Sequence, residues 1–339
     1  MINYSVVTKL SHTISMVQMN TKTILINISL YILFTLNCFE CIAQRIYHPK
    51  SMKYSSLSFG LGTSHFYGDV GSLTNLKSVR WNINCSYTYT LNNKINLGVS
   101  ASYIRLSGDD FYSNNDADFI RNLHFRNDIK QLSTFIEYHP LNHTSDFRKR
   151  INISPYLLSG IGYYFHNPQA KLPLDLGNKW VDLEPIHTEG QGINPIYPEP
   201  YKLSGISIPL GFGLQYKYSK HFNLVVEVVH YTPFSDYIDD VSGVYPNRIL
   251  FNNEFGSVLS NRSGEQFAAD TGNNRSDRVT KYLEYNGVLS AFPFNELGAF
   301  VGTTGSNRGS KIGNDNFFVT TFKIQYLIPH LKIRCPKIN

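Results

Sequence analysis

The stretch FSDYIDDVSGVY, Phe234 to Tyr245, sets three carboxylates, Asp236, Asp239 and Asp240, among aromatic residues. Clustered hard oxygens suit a calcium ion, and Ser242 adds another. The spacing departs from the D-x-[DN]-x-[DN]-G calcium loop, so these acids are weak metal candidates and suit a capped turn better. His230 and His187 are the candidate proton-transfer partners for such acids, provided that they come within hydrogen-bond reach. No G-x-S-x-G nucleophile elbow and no H-E-x-x-H pair accompanies them. TEGQG, Thr188–Gly192, is glycine-rich but does not join a strand to a helix, as a phosphate loop must. Gly190 and Gly192 are instead expected to supply positive φ in a folded loop. Cys38 and Cys41 have C-x-x-C spacing, but they fall in a segment laid out for removal. The expectation is no catalytic residue, no cofactor and no metal, hence no enzyme.

What must position these residues is a set of strands. Aromatic residues make up 14% of the chain and charged residues only 17%, a balance that fits pleated, half-buried surfaces. RWNINCSYTYTL (Arg80–Leu91) puts Trp81, Ile83, Cys85, Tyr87, Tyr89 and Leu91 on one face and polar residues on the other. Period two is the strand period. The same alternation marks Ser55–Gly62, Lys94–Tyr103, Ile129–Pro140, Asn152–Phe165, Tyr201–Tyr218, Phe222–Tyr231 and Asn316–Tyr326. That predicts eight strands. Short links such as Asn92–Asn93 and Ser219–Lys220 alternate with long ones, of which Asp236–Asp315 is the longest.

Ahead of the strands, Lys22 precedes an apolar run, Ile24–Leu36, and small Ala43 follows. This is the layout of a secretory signal peptide, expected over residues 1–44. The run is short for a membrane span. The mature part, 45–339, then retains Cys85 and Cys335 as its cysteines, which rules out a disulfide scaffold. The formal charge of +6 is dispersed, and the one basic run, FRKR at Phe147–Arg150, is too short to imply nucleic acid.

Alternating link lengths and aromatic strand ends predict an all-β, closed, antiparallel eight-stranded barrel in the outer membrane, with long loops outside. A soluble lipocalin-like barrel is the competing architecture. Eight strands leave a lumen that side chains can fill. Inward parity assigns Arg80, Gln131, Glu137, Gln215 and Glu227 to it, and a network of Arg80 with Glu137 and Glu227 is expected to plug it. The last strand, FFVTTFKIQY, ends in the alternating aromatic pattern of substrates of the barrel-assembly machinery. A periplasmic tail, 327–339, is expected after it.

Four segments together resemble a known family: GLGTSHFYGDV (Gly60–Val70), SPYLLSGIGYYFHNPQAK (Ser154–Lys171), WVDLEPIHTEGQG (Trp180–Gly192) and SDYIDDVSGVY (Ser235–Tyr245). The chain is similar to an outer-membrane β-barrel family of Bacteroidota that includes PorG-type barrels of type IX secretion. The motif positions are Tyr67, Gly68, Asp69, Gly160, Gly162, Asn167, Pro168, Thr188, Glu189, Gly190, Gln191, Gly192, Asp236, Tyr237, Asp239 and Asp240. His187 stands where the family pattern leads one to expect glycine. The resemblance implies a structural or interaction component, an accessory of secretion whose partners are outer-membrane lipid and periplasmic secretion-ring proteins. The alternative is a small-solute channel or a surface enzyme.

Overall fold

The computed structural model describes residues 53–70, 76–141, 149–251, 254–287, 297–298, 301–309 and 313–329. The expected signal peptide, Cys335 and the tail beyond Pro329 lie outside the described residues. In chain order the strands are β1 (Tyr54–Tyr67), β2 (Arg80–Thr90), β3 (Ile95–Asp109), β4 (His124–Tyr138), β5 (Ile153–Phe165), β6 (Pro168–Lys171), β7 (Trp180–Asp182), β8 (Ser204–Lys217), β9 (Phe222–Pro233) and β10 (Asn316–Pro329). The eight long ones are hydrogen-bonded in the order β3-β2-β1-β10-β9-β8-β5-β4, and a β3–β4 ladder closes the ring. First and last strands pair from Tyr54↔Pro329 to Tyr67↔Asn316. Leu327–Pro329, expected in the tail, therefore complete β10.

All eight expected segments are strands, but β1, β3 and β4 run further toward the long-loop end than their apolar faces foretell. There the outward positions turn polar or charged, at Arg105, Asp128 and Arg126. A search for one apolar face stops at that change, whereas the backbone ladder continues through it. β6 keeps the register of β5 on β4, with Lys130↔Phe165 followed by Asn127↔Pro168 and Arg126↔Gln169, and β7 pairs with β6 as a hairpin.

The outside of the barrel is apolar and open. Leu57, Phe59, Leu61, Ile161, Leu210 and Ile324 all face outward, and Leu132 and Phe322 expose 66% and 64% of their surface. A belt of this extent is foreign to a soluble monomer and matches the lipid-facing band of a transmembrane barrel. Closure leaves no unpaired strand edge for lipid to meet. Tyr87, Tyr138, Tyr216 and Tyr326 edge the belt at the short-turn end, and Trp81, Tyr103, Tyr163 and Phe165 edge it at the other. Cys85 is a free, outward-facing thiol within the wall.

The lumen is filled. Its lower part is polar: Gln215 Nε2 donates to Gln325 Oε1 at 2.9 Å, and Gln325 Nε2 donates to Ser56 Oγ at 2.9 Å. Gln131 Nε2 donates to Ser133 Oγ at 2.8 Å and to Ser207 Oγ at 3.1 Å. Glu227 accepts from Lys323 Nζ at 2.5 Å and from Tyr156 Oη at 2.7 Å. Glu137 accepts from Asn96 Nδ2 at 2.8 Å, and His139 Nε2 lies 3.5 Å from its carboxylate.

The expected Arg80 network is corrected here. Arg80 starts β2 at the loop end, and its guanidinium turns back to the carbonyls of Lys77 (2.7 Å) and Val79 (3.0 Å). Position along the strand decided this: Lys323, paired in register beside Val225 on β9, reaches Glu227 across one ladder. The upper lumen also departs from an all-polar filling. Phe66, Ile104, Phe125, Val229 and Phe317 form an apolar core there. A cavity of about 10 Å³ among Asn84, Glu227, Tyr231 and Lys323 has room for about one water.

Candidate functional site

The described parts of the long links between β1 and β2, β3 and β4, β5 and β8, and β9 and β10 fold together over the outer end of the barrel. Much of what composition marks as irregular loop is ordered. In the segment 110–123, Asn115 caps the helix Asp116–Arg121 by accepting from Ala117 N, and Asn122 ends it at φ 61°. In the last link, the helix Ser276–Tyr285 buries Val279 and Leu283 against Phe119 and Ile120 of that first helix. The β6–β7 hairpin packs Ala170, Leu172 and Leu183 onto Leu259 of the helix Glu254–Ser260. Asn115, and the Val279–Leu283 spacing with Tyr282 beside it, are the signals that could have found these helices.

Buried arginines tie the four links into one loop cap. Arg308 is 3% exposed. Its Nη1 donates to Glu189 Oε1 at 3.2 Å and to Asp240 O at 2.7 Å, its Nε donates to Ser260 O at 3.1 Å, and its Nη2 lies 3.7 Å from Asp240 Oδ2. Arg121 forks onto Asp110 at 2.8 Å through Nε and Nη2, and donates to Arg308 O at 2.8 Å and Asp69 O at 2.5 Å. Arg275 donates to Phe119 O and Ile120 O near the end of the first helix, at 3.0 and 2.8 Å. Arg262 holds Glu265 and the Lys171 carbonyl, each at 2.6 Å. Each fork thus satisfies carbonyls and carboxylates that burial would otherwise leave unpaired.

Most of the motif residues converge on this junction. Thr188 Oγ1 and Tyr201 Oη donate to the two oxygens of Asp240 at 2.5 and 2.7 Å. Glu189 accepts from Ser242 N and Gly243 N at 3.0 Å, and Gln191 Oε1 accepts from Glu189 N at 3.0 Å. Asp239 accepts from Val70 N at 2.9 Å and Val241 N at 3.0 Å, which joins the first link to the last. Tyr237 stacks on Tyr201 with centroids 4.7 Å apart. Asn167 N donates to Asn127 Oδ1 at 2.9 Å, and Pro168 opens β6. At Gly68 a Cβ would lie 2.1 Å from Asp315 Oδ1 and 2.3 Å from Phe66 Cζ, so a side chain there would have to displace both. Tyr67 faces outward at the end of β1. Gly160 and Gly162 are placed in β5, against β4.

Gly190 and Gly192 take φ 78° and 71°, as the turn reading expects. His187, at the position where the family pattern suggested glycine, has φ 58°, and Asp240 has φ 68°. Both hold a conformation that favours glycine.

The acids do not form one constellation. Asp239 turns to Val70 while Asp240 turns to Thr188, Tyr201 and Arg308. Among the described residues no group of three or more His, Cys, Asp or Glu side chains is arranged to hold a metal ion. His230 lies on the outward side of β9 beside Phe318, centroids 4.6 Å apart, away from the junction. The sequence alone does not single out Arg308, Arg121 or Asp110, because no local period or motif marks them.

Burial pushes the Asp240 carboxyl up to about 6, with Arg308, Thr188 and Tyr201 holding it back. Burial also pushes Asp236 up to about 6, despite the Ser242 hydrogen bond, with help from the charges of Asp69 and Glu189. Asp239 is driven well above the usual carboxylate range by burial, then by Asp315 and Asp69. A carboxyl raised in the folded state contributes stability that is fully present below its unfolded pKa and is lost as pH rises through the folded value. For Asp240 that window runs from about 4 to about 6 and is worth up to about 3 kcal/mol. Hydrogen exchange in the helix Ser276–Tyr285, corrected for intrinsic rates, is therefore expected to be slower at pH 5 than at pH 7.5. Equal protection at both would mean that these acids stay ionised in the cap.

Residues 37–173 match the family model described as a domain of unknown function (DUF6089). No curated protein matches the chain. Among solved structures it is similar to Ail, the attachment invasion locus protein of Yersinia pestis, at 12% identity and TM-score 0.34, over 82% of this chain and 99% of that one. Neisserial surface protein A gives 8% identity and TM-score 0.32, over 82% and 97%. The outer membrane protein OprG from Pseudomonas aeruginosa gives 10% identity and TM-score 0.31, over the same shares. The fold itself rests on the ladders described above: a closed, antiparallel eight-stranded β-barrel carrying a folded cap of loops.

Proposed function

We propose that the protein is a non-conducting, non-enzymatic barrel of the outer membrane that acts as a structural and interaction component. The observation that carries this is the double closure of the pore. Lys323, Glu227 and Tyr156 fill the lumen, and the arginine-tied cap lies over its outer end. A solute path would have to break both. The apolar belt supports the membrane, and the aromatic alternation of β10 supports delivery by the barrel-assembly machinery.

We further propose an accessory role in type IX secretion. Its support is the resemblance of the four motif segments to the family that includes PorG-type barrels. Periplasmic ring proteins would then meet the short-turn end, at the described residues 91–94, 139–141, 149–152 and 218–221. The full-length protein reconstituted in planar bilayers is expected to give no large, stable conductance steps. A pull-down from detergent-solubilised membranes is expected to recover periplasmic secretion-ring subunits. Stable conductance would replace the first reading with a small-solute channel. A pull-down free of ring subunits that also shows hydrolase activity would replace it with a surface enzyme.

A further inference from the structure

The barrel wall differs around its circumference just below the cap. On β8, β9, β10 and β1 the outward positions there carry no Asp, Glu, Lys or Arg: Ile206, His230, Thr232, Phe318, His65 and Tyr67. On β3 and β4 they are Arg105, Asp128, Lys130 and Arg126, with registers Tyr103↔Lys130, Arg105↔Asp128 and Ser107↔Arg126. The charged residues thus form one patch on one sector.

Both acids there are already used: Asp182 on β7 accepts from Gln169 Nε2 at 2.6 Å, and Asp128 on β4 pairs with β3. Arg105 forks onto Asp128 at 2.6 and 2.7 Å, and Tyr103 Oη donates to it at 2.8 Å. Two cations remain. The Arg126 guanidinium lies 4.1 Å over the Trp180 ring and its Nη2 donates to Gln169 Oε1 at 2.6 Å; its Nε is buried, so the outer edge of the fork is what can meet a ligand. Lys130 is exposed, stands in register between Tyr103 and Phe165, and takes part in none of the ion pairs found among the described residues. The next outward residues down β4 are Leu132, Thr134 and Ile136, so the two cations sit where the apolar belt ends.

We propose that this sector, Arg126 and Lys130 with the Trp180 ring, binds the phosphate-bearing headgroup of an outer-leaflet lipid. The inference rests on the membrane reading above. At that depth the wall meets headgroups rather than bulk water or acyl chains. A planar guanidinium fork and a mobile ammonium are suited to phosphate oxygens, and a ring at the interface suits the boundary between headgroup and chain. Charge complementarity is what selects a phosphorylated lipid over a neutral one.

The test uses the full chain refolded in detergent micelles with lipid A or with the same lipid after phosphatase treatment, read by native mass spectrometry. The wild type is expected to retain the phosphorylated lipid about tenfold over the dephosphorylated one, the effect of losing one or two charge-assisted hydrogen bonds. The Arg126→Gln/Lys130→Gln variant is expected to bring the two to parity, while Thr232→Ala on β9 leaves the preference intact. Heat-modifiable gel mobility checks that each variant is folded. Equal retention of both lipids by the wild type overturns the proposal, as does an unchanged preference in the double variant. Full displacement by millimolar inorganic phosphate overturns the lipid as the ligand. A chain that inserts into no bilayer at all would instead overturn the membrane reading.

Discussion

Replacing Arg308 with methionine is expected to open the loop cap while leaving the barrel closed. The change strands Glu189, which is 1% exposed, and leaves Asp240 without its counter-charge. It also removes the donor to the Ser260 carbonyl, the tie between the helix Glu254–Ser260 and the junction. Breaking a buried pair from one side costs about 3–5 kcal/mol, because the partner charge stays behind in a dry site. Limited trypsin digestion should then cut in the 254–287 region of Arg308→Met at least tens of times faster than in the wild type, given about 1.4 kcal/mol per tenfold. The heat-modifiable mobility of the barrel should be unchanged, because its ladders do not involve Arg308. Arg308→Lys should recover only part of the protection, since an ammonium cannot reproduce the planar fork. Wild-type cleavage rates in Arg308→Met would mean that the apolar contacts of Val279, Leu283 and Leu259 hold the cap unaided.

The second large effect is expected inside the barrel. Lys323 and Glu227 are 6% and 5% exposed, and Tyr156 completes their contact. Lys323→Met should lower stability by about 3–5 kcal/mol, since it leaves the Glu227 carboxylate in the lumen without its cation. Adding Glu227→Gln should recover a large part of that loss, because the amide still accepts from Tyr156 and no buried charge remains. Urea unfolding in lipid vesicles, followed by tryptophan emission, measures both. Additive losses in the double variant would show that the two side chains are not coupled, and that the lumen is wet enough to screen them.

Both predictions concern residues whose partners lie far away in sequence, and this divides what was legible from what was not. The eight strands could be read because alternation is a local property: Trp81, Ile83 and Cys85 face one way whatever the rest of the chain does. The link lengths placed Asp236–Asp240 at the outer rim, and the turn reading placed Gly190 and Gly192 at positive φ. Parity also assigned Glu137 and Glu227 to the lumen. It could not say how far along its strand Arg80 stands relative to them, since that depends on the pairing register.

The cap was legible only in fragments. Thr188, Glu189, Asp239 and Asp240 stood out as motif residues, yet their reason for being together did not. Arg308 meets Glu189 across 119 positions, and Arg121 meets Asp69 and Arg308 across 52 and 187. No local period marks such a pair. By itself the sequence determined the wall, its two faces and the end at which the long links emerge, because strand period and lipid-facing polarity act residue by residue. Tertiary structure alone decided which cations balance which buried acids, because desolvation is relieved only by the group that closure of the barrel and folding of the links bring within hydrogen-bond distance.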